Sequence, residues 1–87
     1  MAAYSLEIKR SAARELEAVE PLAQRRRIVA RILALAAEPR PASAQKLASR
    51  APLFRIRQGD YRILYQIDDA ARRISVVKIG HRREVYK

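Results

Sequence analysis

The stretch "FRIRQGDYRILYQID", Phe54 to Asp68, decides the fold. Phe54 and Ile56 alternate with Arg55 and Arg57; then Tyr61, Ile63, Tyr65 and Ile67 alternate with Arg62, Leu64 and Gln66. A period of two marks a half-buried strand, and Gly59–Asp60 between two such runs marks a hairpin connection. Side chains on a strand alternate between its two faces. If Phe54, Ile56, Ile63, Tyr65 and Ile67 meet a core, then Arg55, Arg57 and Arg62 share the opposite, open face. Arg57 and Arg62 become neighbours across the short turn.

Working outward from the hairpin, "DDAARR" (Asp68 to Arg73) reads as a turn and Ile74 to Ile79 as a last strand. Val77 and Ile79 suit the core, which sends Lys78 and Arg82 to the open face. Upstream, Tyr4, Leu6 and Ile8 alternate with Ser5, Glu7 and Lys9, again as in a strand. Ser11 reads as an N-cap, and Ala12, Leu16 and Val19 follow at helical spacing. Pro21 suits the first turn of a second helix, whose expected buried face is Leu22, Ile28, Val29, Ile32, Leu33 and Ala36. Arg25, Arg26, Arg27 and Arg31 then face water or a partner. "EPRPAS" (Glu38 to Ser43) ends that helix, because its two prolines cannot continue it. Tyr61 and Tyr65 read as core residues with their hydroxyls at the rim. The order β-α-α-β-β-β implies one α+β domain over residues 1–87, with two helices on one face of a small, mainly antiparallel sheet.

The 87 residues contain no cysteine and one histidine, which leaves no disulfide framework and no cysteine metal cluster. Nineteen Lys and Arg against nine Asp and Glu give a net charge of +10, which points to a polyanionic partner. Ten of the basic residues lie in 1–50 and nine in 51–87, so the charge belongs to a globular surface and not to a detachable arm. Arginines outnumber lysines fifteen to four, a bias suited to planar, bidentate phosphate contacts. No stretch approaches the roughly 20 apolar residues of a membrane span, nor does the N-terminus show a signal-peptide core. A cytoplasmic protein with no membrane partner is expected. Cations gathered on one sheet face repel one another, and an anion would complete them.

At these residues the chain resembles a known family. "FRIRQGDYRILYQID" and "VVKIGHRREVYK", with the N-terminal "YSLEIKRSAARELEAV", look like the RelE/ParE superfamily of type II toxins. The "G-D-Y-R-I-x-Y" hairpin is shared across that superfamily, and the "G-H-R-x-x-V-Y" ending leans toward its RelE branch. The resemblance implies a ribosome-dependent endoribonuclease that cuts mRNA in the A site. Its ParE-like members, which poison DNA gyrase, generally lack the full set of site residues. By resemblance, Arg55 and Arg57 stand where the family carries a basic pair, often lysines. Arg62 matches the arginine of "YR", while Arg82 and Tyr86 match the C-terminal arginine and tyrosine.

The implied reaction drives a ribose 2′-hydroxyl onto the adjacent phosphodiester, leaving a 2′,3′-cyclic phosphate and a 5′-hydroxyl, with no metal or other cofactor. Arg55, Arg57 and Arg62 suit charge stabilisation on the phosphorane. Arg82 suits the leaving-group end. Arginine is a poor general base where lysine can serve, which leaves Tyr86 or His81 to accept the proton, or a reaction with little general-base help. His81 has a suitable intrinsic acidity, but its strand parity points it away from the cations, and Tyr86 ranks first. Arg25, Arg26, Arg27, Arg31, Lys78, His81 and Arg83 are the candidates for docking on RNA or the 70S ribosome. The resemblance also implies a cognate RelB-like or other type II antitoxin, through which alone the complex would meet operator DNA. A degenerate toxin that acts only in such a complex is the remaining reading.

Overall fold

The predicted hairpin forms the middle of a five-stranded sheet. The computed structural model describes residues 3–47 and 52–81. Its elements are β1 (Ser5–Ile8), α1 (Arg10–Glu17), α2 (Leu22–Ala34), β2 (Gln45–Lys46), β3 (Leu53–Gln58), β4 (Tyr61–Asp68) and β5 (Arg73–His81). The sheet order is β1-β5-β4-β3-β2. β1 runs parallel to β5 and every other neighbouring pair is antiparallel. The α+β architecture with two helices against a mainly antiparallel sheet is therefore the expected one, with one strand more. That strand, β2, pairs Gln45 with Arg55 and Lys46 with Phe54, and two residues are too few to show a period.

Strand register builds the core. Ile63 of β4 lies opposite Ile56 of β3 and Ile79 of β5, and Tyr65 lies opposite Phe54 and Val76. These side chains are buried together with Ile67, Ile74, Ala12, Val19, Ile28, Ile32 and Leu35. Each such aliphatic side chain contributes about 1.5–3 kcal/mol by leaving water. Tyr65 is 0% exposed, and its hydroxyl donates to the Pro39 carbonyl at 2.8 Å. Burial pushes its phenol up to about 12. The hairpin turn needs glycine twice over. Gly59 has φ +61°, and a Cβ there would stand 2.8 Å from Gln24 Nε2, which donates to the Gln58 carbonyl.

Several local expectations are corrected. The helical stripe that meets the sheet is Ile28, Ile32 and Leu35, whereas Leu22 is 49% and Leu33 60% exposed. At 3.6 residues per turn those two lie roughly 120–140° around the helix from Ile28. Ser11 is not the N-cap. Lys9 holds that position in extended conformation, because its N–H completes the ladder to the Val76 carbonyl while its own carbonyl accepts from Ala13 N–H. Pro21 likewise stands at the N-cap of α2, one position before the first turn expected for it. On β5, Leu64 pairs with Lys78 but Tyr65 with Val76, so Val77 is bulged. The extra residue lets both Val76 and Ile79 face the core, where strict alternation would choose Val77 and Ile79.

Two polar devices tie the ends of the sheet. At one end the Tyr4 hydroxyl donates to Asp69 at 2.6 Å and the Arg40 guanidinium grips the same carboxylate at 2.8 and 3.3 Å. The same guanidinium lies over the Phe54 ring, 5.5 Å from its centroid. Hydrogen bonds from Arg40 and then Tyr4 hold the Asp69 carboxyl below its ordinary 3.8. At the other end β5 runs on past the last residue of β1, and Glu15 of α1 takes over as its partner. One carboxylate oxygen accepts Ile79 N–H at 2.9 Å and the other accepts Lys78 Nζ at 2.8 Å.

Two outcomes are expected. A group whose acidity is depressed on folding stabilises above its unfolded value, and that contribution is lost as pH falls through the folded value. Asp69→Asn should therefore flatten the acid limb of stability below the ordinary carboxylate value of 3.8, measured as urea midpoints from neutral pH downward. Glu15→Ala should cost about 1–3 kcal/mol by leaving an N–H and an ammonium without their acceptor. Glu15→Gln, which keeps an acceptor for Ile79 N–H, should cost less in the same urea titration.

Candidate anion site on the open sheet face

Arg55, Arg57 and Arg62 converge as the alternation requires. Arg57 and Arg62 stand directly opposite one another on β3 and β4, and Arg55 stands opposite Leu64. All three line one cavity of about 170 Å³ together with Ser43 and Gln45. Arg62 is buried, only 8% exposed, beneath the more open Arg55 and Arg57. Like charges opposed across a strand pair are destabilising. Each of them meets a neutral acceptor. Arg57 Nε donates to the Gly59 carbonyl at 3.0 Å, and Arg62 Nη1 to the Tyr61 carbonyl at 3.5 Å. Arg55 Nη2 donates to Gln45 Oε1. Such acceptors orient the guanidiniums without cancelling their charge.

Sequence reasoning missed Ser43 and Gln45. Both follow the proline-rich break and carry no motif; only the pairing of β2 with β3 brings them to the site. Nothing local marks them, since Ser43 and Gln45 stand among alanines. Ser43 Oγ accepts from Arg31 Nη2 at 3.1 Å, and the same nitrogen reaches the Arg57 carbonyl at 3.5 Å. Arg31 is thus a half-buried latch from α2 to the wall of the site, not a docking residue on the surface. Its Nε is buried with no hydrogen-bond partner.

The other expected residues divide. Arg25 is half-buried and donates to the Val19 carbonyl at 3.3 Å, closing the link between the helices, while Arg26 and Arg27 are exposed. Lys78 shares the strand parity of Arg55, but its ammonium goes to Glu15 and it does not line the arginine cavity. The His81 ring meets Tyr61 edge-on at 5.7 Å between centroids. Tyr61 pairs with His81 two residues beyond the core pair Ile63 and Ile79, so both rings lie off the arginine face, as parity required. They line a larger cavity of about 430 Å³ with Glu20, Gln24, Arg27 and Asp60. Its charges are mixed, so the smaller cavity is the one with the chemistry to hold an anion. Arg82, Arg83 and Tyr86 lie outside the described residues. Among the described residues no group of three or more His, Cys, Asp and Glu is placed to hold a metal ion.

This geometry has close parallels. RelE from the Pyrococcus horikoshii RelE–RelB complex is 28% identical, with TM-score 0.81 over 92% of this chain and 96% of that one. The toxin–antitoxin complex RelBE2 of Mycobacterium tuberculosis contains a chain 27% identical, with TM-score 0.79 over 91% and 98%. The isolated Escherichia coli RelE toxin is 25% identical, with TM-score 0.78 over 97% and 92%. No curated protein matches the chain. The sequence model of the family described as "ParE toxin of type II toxin-antitoxin system, parDE" matches residues 6–86. The chain therefore belongs to that family of type II toxins, and its fold is RelE-like.

A built anion site carries a thermal signature. Sulfate or phosphate should raise the melting temperature above its value in chloride at equal ionic strength, since a ligand of the folded state alone stabilises it. Arg57→Ala should remove most of that increment. An increment unchanged in Arg57→Ala would place the anion elsewhere.

Proposed function

We propose that this toxin is a ribosome-dependent endoribonuclease that cuts mRNA in the A site. The observation that carries the reading is the convergence of Arg55, Arg57 and Arg62 on one cavity. Three guanidiniums fixed by neutral acceptors are preorganised for the charge that develops on a phosphorane's non-bridging oxygens. In the step proposed, the 2′-oxygen attacks phosphorus as its proton leaves, and the bond to the 5′-oxygen breaks as that oxygen gains a proton. Arg82 steadies the charge on the leaving oxygen, which takes its proton from water, and Tyr86, ionised among the surrounding cations, receives the 2′ proton. Both belong to the C-terminal segment "HRREVYK", which β5 launches from the end of the sheet nearest the arginines. Among the described residues the arginine cluster holds no strong acid–base pair, so positioning of mRNA by the ribosome supplies much of the rate. Exposed Arg26 and Arg27 suit docking on ribosomal RNA in the cytoplasm, with steep salt dependence.

A cognate antitoxin restrains this activity. The P. horikoshii and M. tuberculosis relatives were crystallised as toxin–antitoxin complexes, the former with RelB. Leu22 and Leu33, exposed on the outer side of α2 beside Arg25 and Arg26, suit the apolar face of an acidic amphipathic helix. Operator DNA is met through that antitoxin. A second reading, poisoning of DNA gyrase, is favoured by the parDE description of the matching family.

A translation extract with a defined mRNA, followed by primer extension, separates the two. Codon-phased cuts are expected, falling on the order of a hundredfold in Arg62→Ala and vanishing in Arg82→Ala and Tyr86→Phe. Intact mRNA with gyrase-dependent DNA breaks would select the second reading. Neither effect would leave a toxin that acts only in its antitoxin complex.

A further inference from the structure

We propose that Arg31 is a positioning residue of the arginine cavity: it stands where a longer β2 would run, and it holds Ser43 and Arg57 at their places in the wall. The inference deepens the reading above and rests on it for RNA as the source of the phosphate bound there.

β2 ends early. It runs antiparallel to β3, with Gln45 opposite Arg55 and Lys46 opposite Phe54. Continued by two residues, the same register would set Ser43 opposite Arg57. The chain turns away instead, and Ala44 N–H donates to the Pro41 carbonyl at 2.9 Å. Leu53 shows which way the backbone of β3 faces, since its carbonyl accepts Leu47 N–H at 2.8 Å, beside β2. Backbone groups along a strand alternate between its two neighbours. Arg55 and Arg57, of the same parity as Leu53, therefore face that side too. Arg55 meets β2 there, whereas the Arg57 carbonyl lies on an edge that β2 has left.

Arg31 fills the gap. Its Nη2 reaches from α2 to that edge, where it donates to Ser43 Oγ at 3.1 Å and to the Arg57 carbonyl at 3.5 Å. One guanidinium thus ties together the two residues that a longer β2 would have paired. Glu15 does the same at the opposite side of the sheet, accepting Ile79 N–H where β1 has ended. The charge suits the group in each case: a carboxylate meets an N–H, and a guanidinium meets a carbonyl.

Arg31 touches the wall of the cavity without lining it. The cavity is lined by Ser43, Gln45, Arg55, Arg57 and Arg62, and Arg31 holds two of those five from behind. Those two need a hold. Arg57 stands directly opposite Arg62, where like charges repel, and Ser43 lies in the turn before β2. Contacts to a bound group depend on placement to about 0.5 Å. A tie on this backbone and this turn therefore sets affinity and rate without reaching the anion. The role differs from the docking expected of Arg31 in the sequence, which would act on the encounter with the ribosome and not on the bound state.

The test uses purified toxin with Arg31→Met, which keeps an apolar stem and loses the donors, and Arg31→Lys, which keeps the charge. Urea titration establishes that each is folded, and Arg31→Lys carries the test if Arg31→Met is not. Inorganic phosphate is titrated while the Arg57 Nε–H signal is followed by nitrogen–proton correlation NMR. That signal should move in Arg31→Met before any phosphate is added. Phosphate should then bind roughly three- to tenfold more weakly, with Arg31→Lys between that and the wild type. The ratio should persist at about 0.5 M salt, where a charge acting at a distance is largely screened. In a Ser43→Ala background the same substitution should cost less, because one of its two ties is already cut. An unmoved Arg57 signal, a loss that salt abolishes, equal costs in both backgrounds, or no saturable phosphate binding in the wild type would each overturn the proposal.

The ribosome assay separates this role from the activity. Arg31→Met should lower kcat and leave the KM for ribosomes unchanged. A raised KM with kcat unchanged would return Arg31 to docking and overturn the proposal. If Arg31→Met cuts mRNA as the wild type does, the endonuclease stands and the role of Arg31 falls. If phosphate binding follows Arg31 as described while the wild type cuts no mRNA, the positioning role stands and the proposed activity falls.

Discussion

Ile63 lies between Ile56 on one side and Ile79 on the other, and this row across three strands sets everything around it. It fixes the register of β3, β4 and β5, because a slip of one residue would send every apolar side chain to water and every arginine to the core. The row lies two residues beyond a turn where Gly59 alone combines the left-handed backbone with room for Gln24. Hydrophobic burial and turn geometry thus agree on one pairing. The arginine cluster is the other side of that pairing: the force that packs Ile56 and Ile63 together also opposes Arg57 to Arg62.

Such a cluster is held open by what surrounds it. Among the described residues the paired carboxylates lie away from the arginine cavity. Asp69 goes to Arg40 and Tyr4 at the far end of the sheet, Glu15 to Lys78 and the edge of β5, and Glu7 to Lys9. The contacts described for the three arginines are two carbonyls and an amide, with the Ser43 hydroxyl in the same cavity. Like charges opposed across β3 and β4, as Arg57 and Arg62 are, cost the fold stability. This accords with the tendency of functional sites to depart from the arrangement that best stabilises the fold.

Legibility in the sequence followed the strength of each period. The hairpin and the shared face of Arg55, Arg57 and Arg62 were readable because alternation runs through both strands with a glycine turn between them. The faces of α2 were not, since apolar residues surround most of that helix and only tertiary contact selects Ile28, Ile32 and Leu35 over Leu22 and Leu33. The bulge at Val77 was hidden because Val76, Val77 and Ile79 are all apolar, so parity had no polar residue to mark the shift. Ser11 lost the cap because a ladder bond from the distant Val76 outweighed local cap chemistry. Ser43, Gln45 and the inward role of Arg31 depend on partners far off in sequence, and no local pattern announces them.

The place of β5 between β1 and β4 has a temporal meaning as well. The first strand of the chain can find its parallel partner only when the last has been made, and the last must enter between two strands already formed. Pairings of such sequence separation form late and slowly. A chain emerging from a ribosome can close the β3–β4 hairpin and gather Arg55, Arg57 and Arg62 early. The sheet itself closes only once β5 is available to pair. Under the proposed activity, a chain whose β5 has not yet been made lacks the completed sheet on which the site is built.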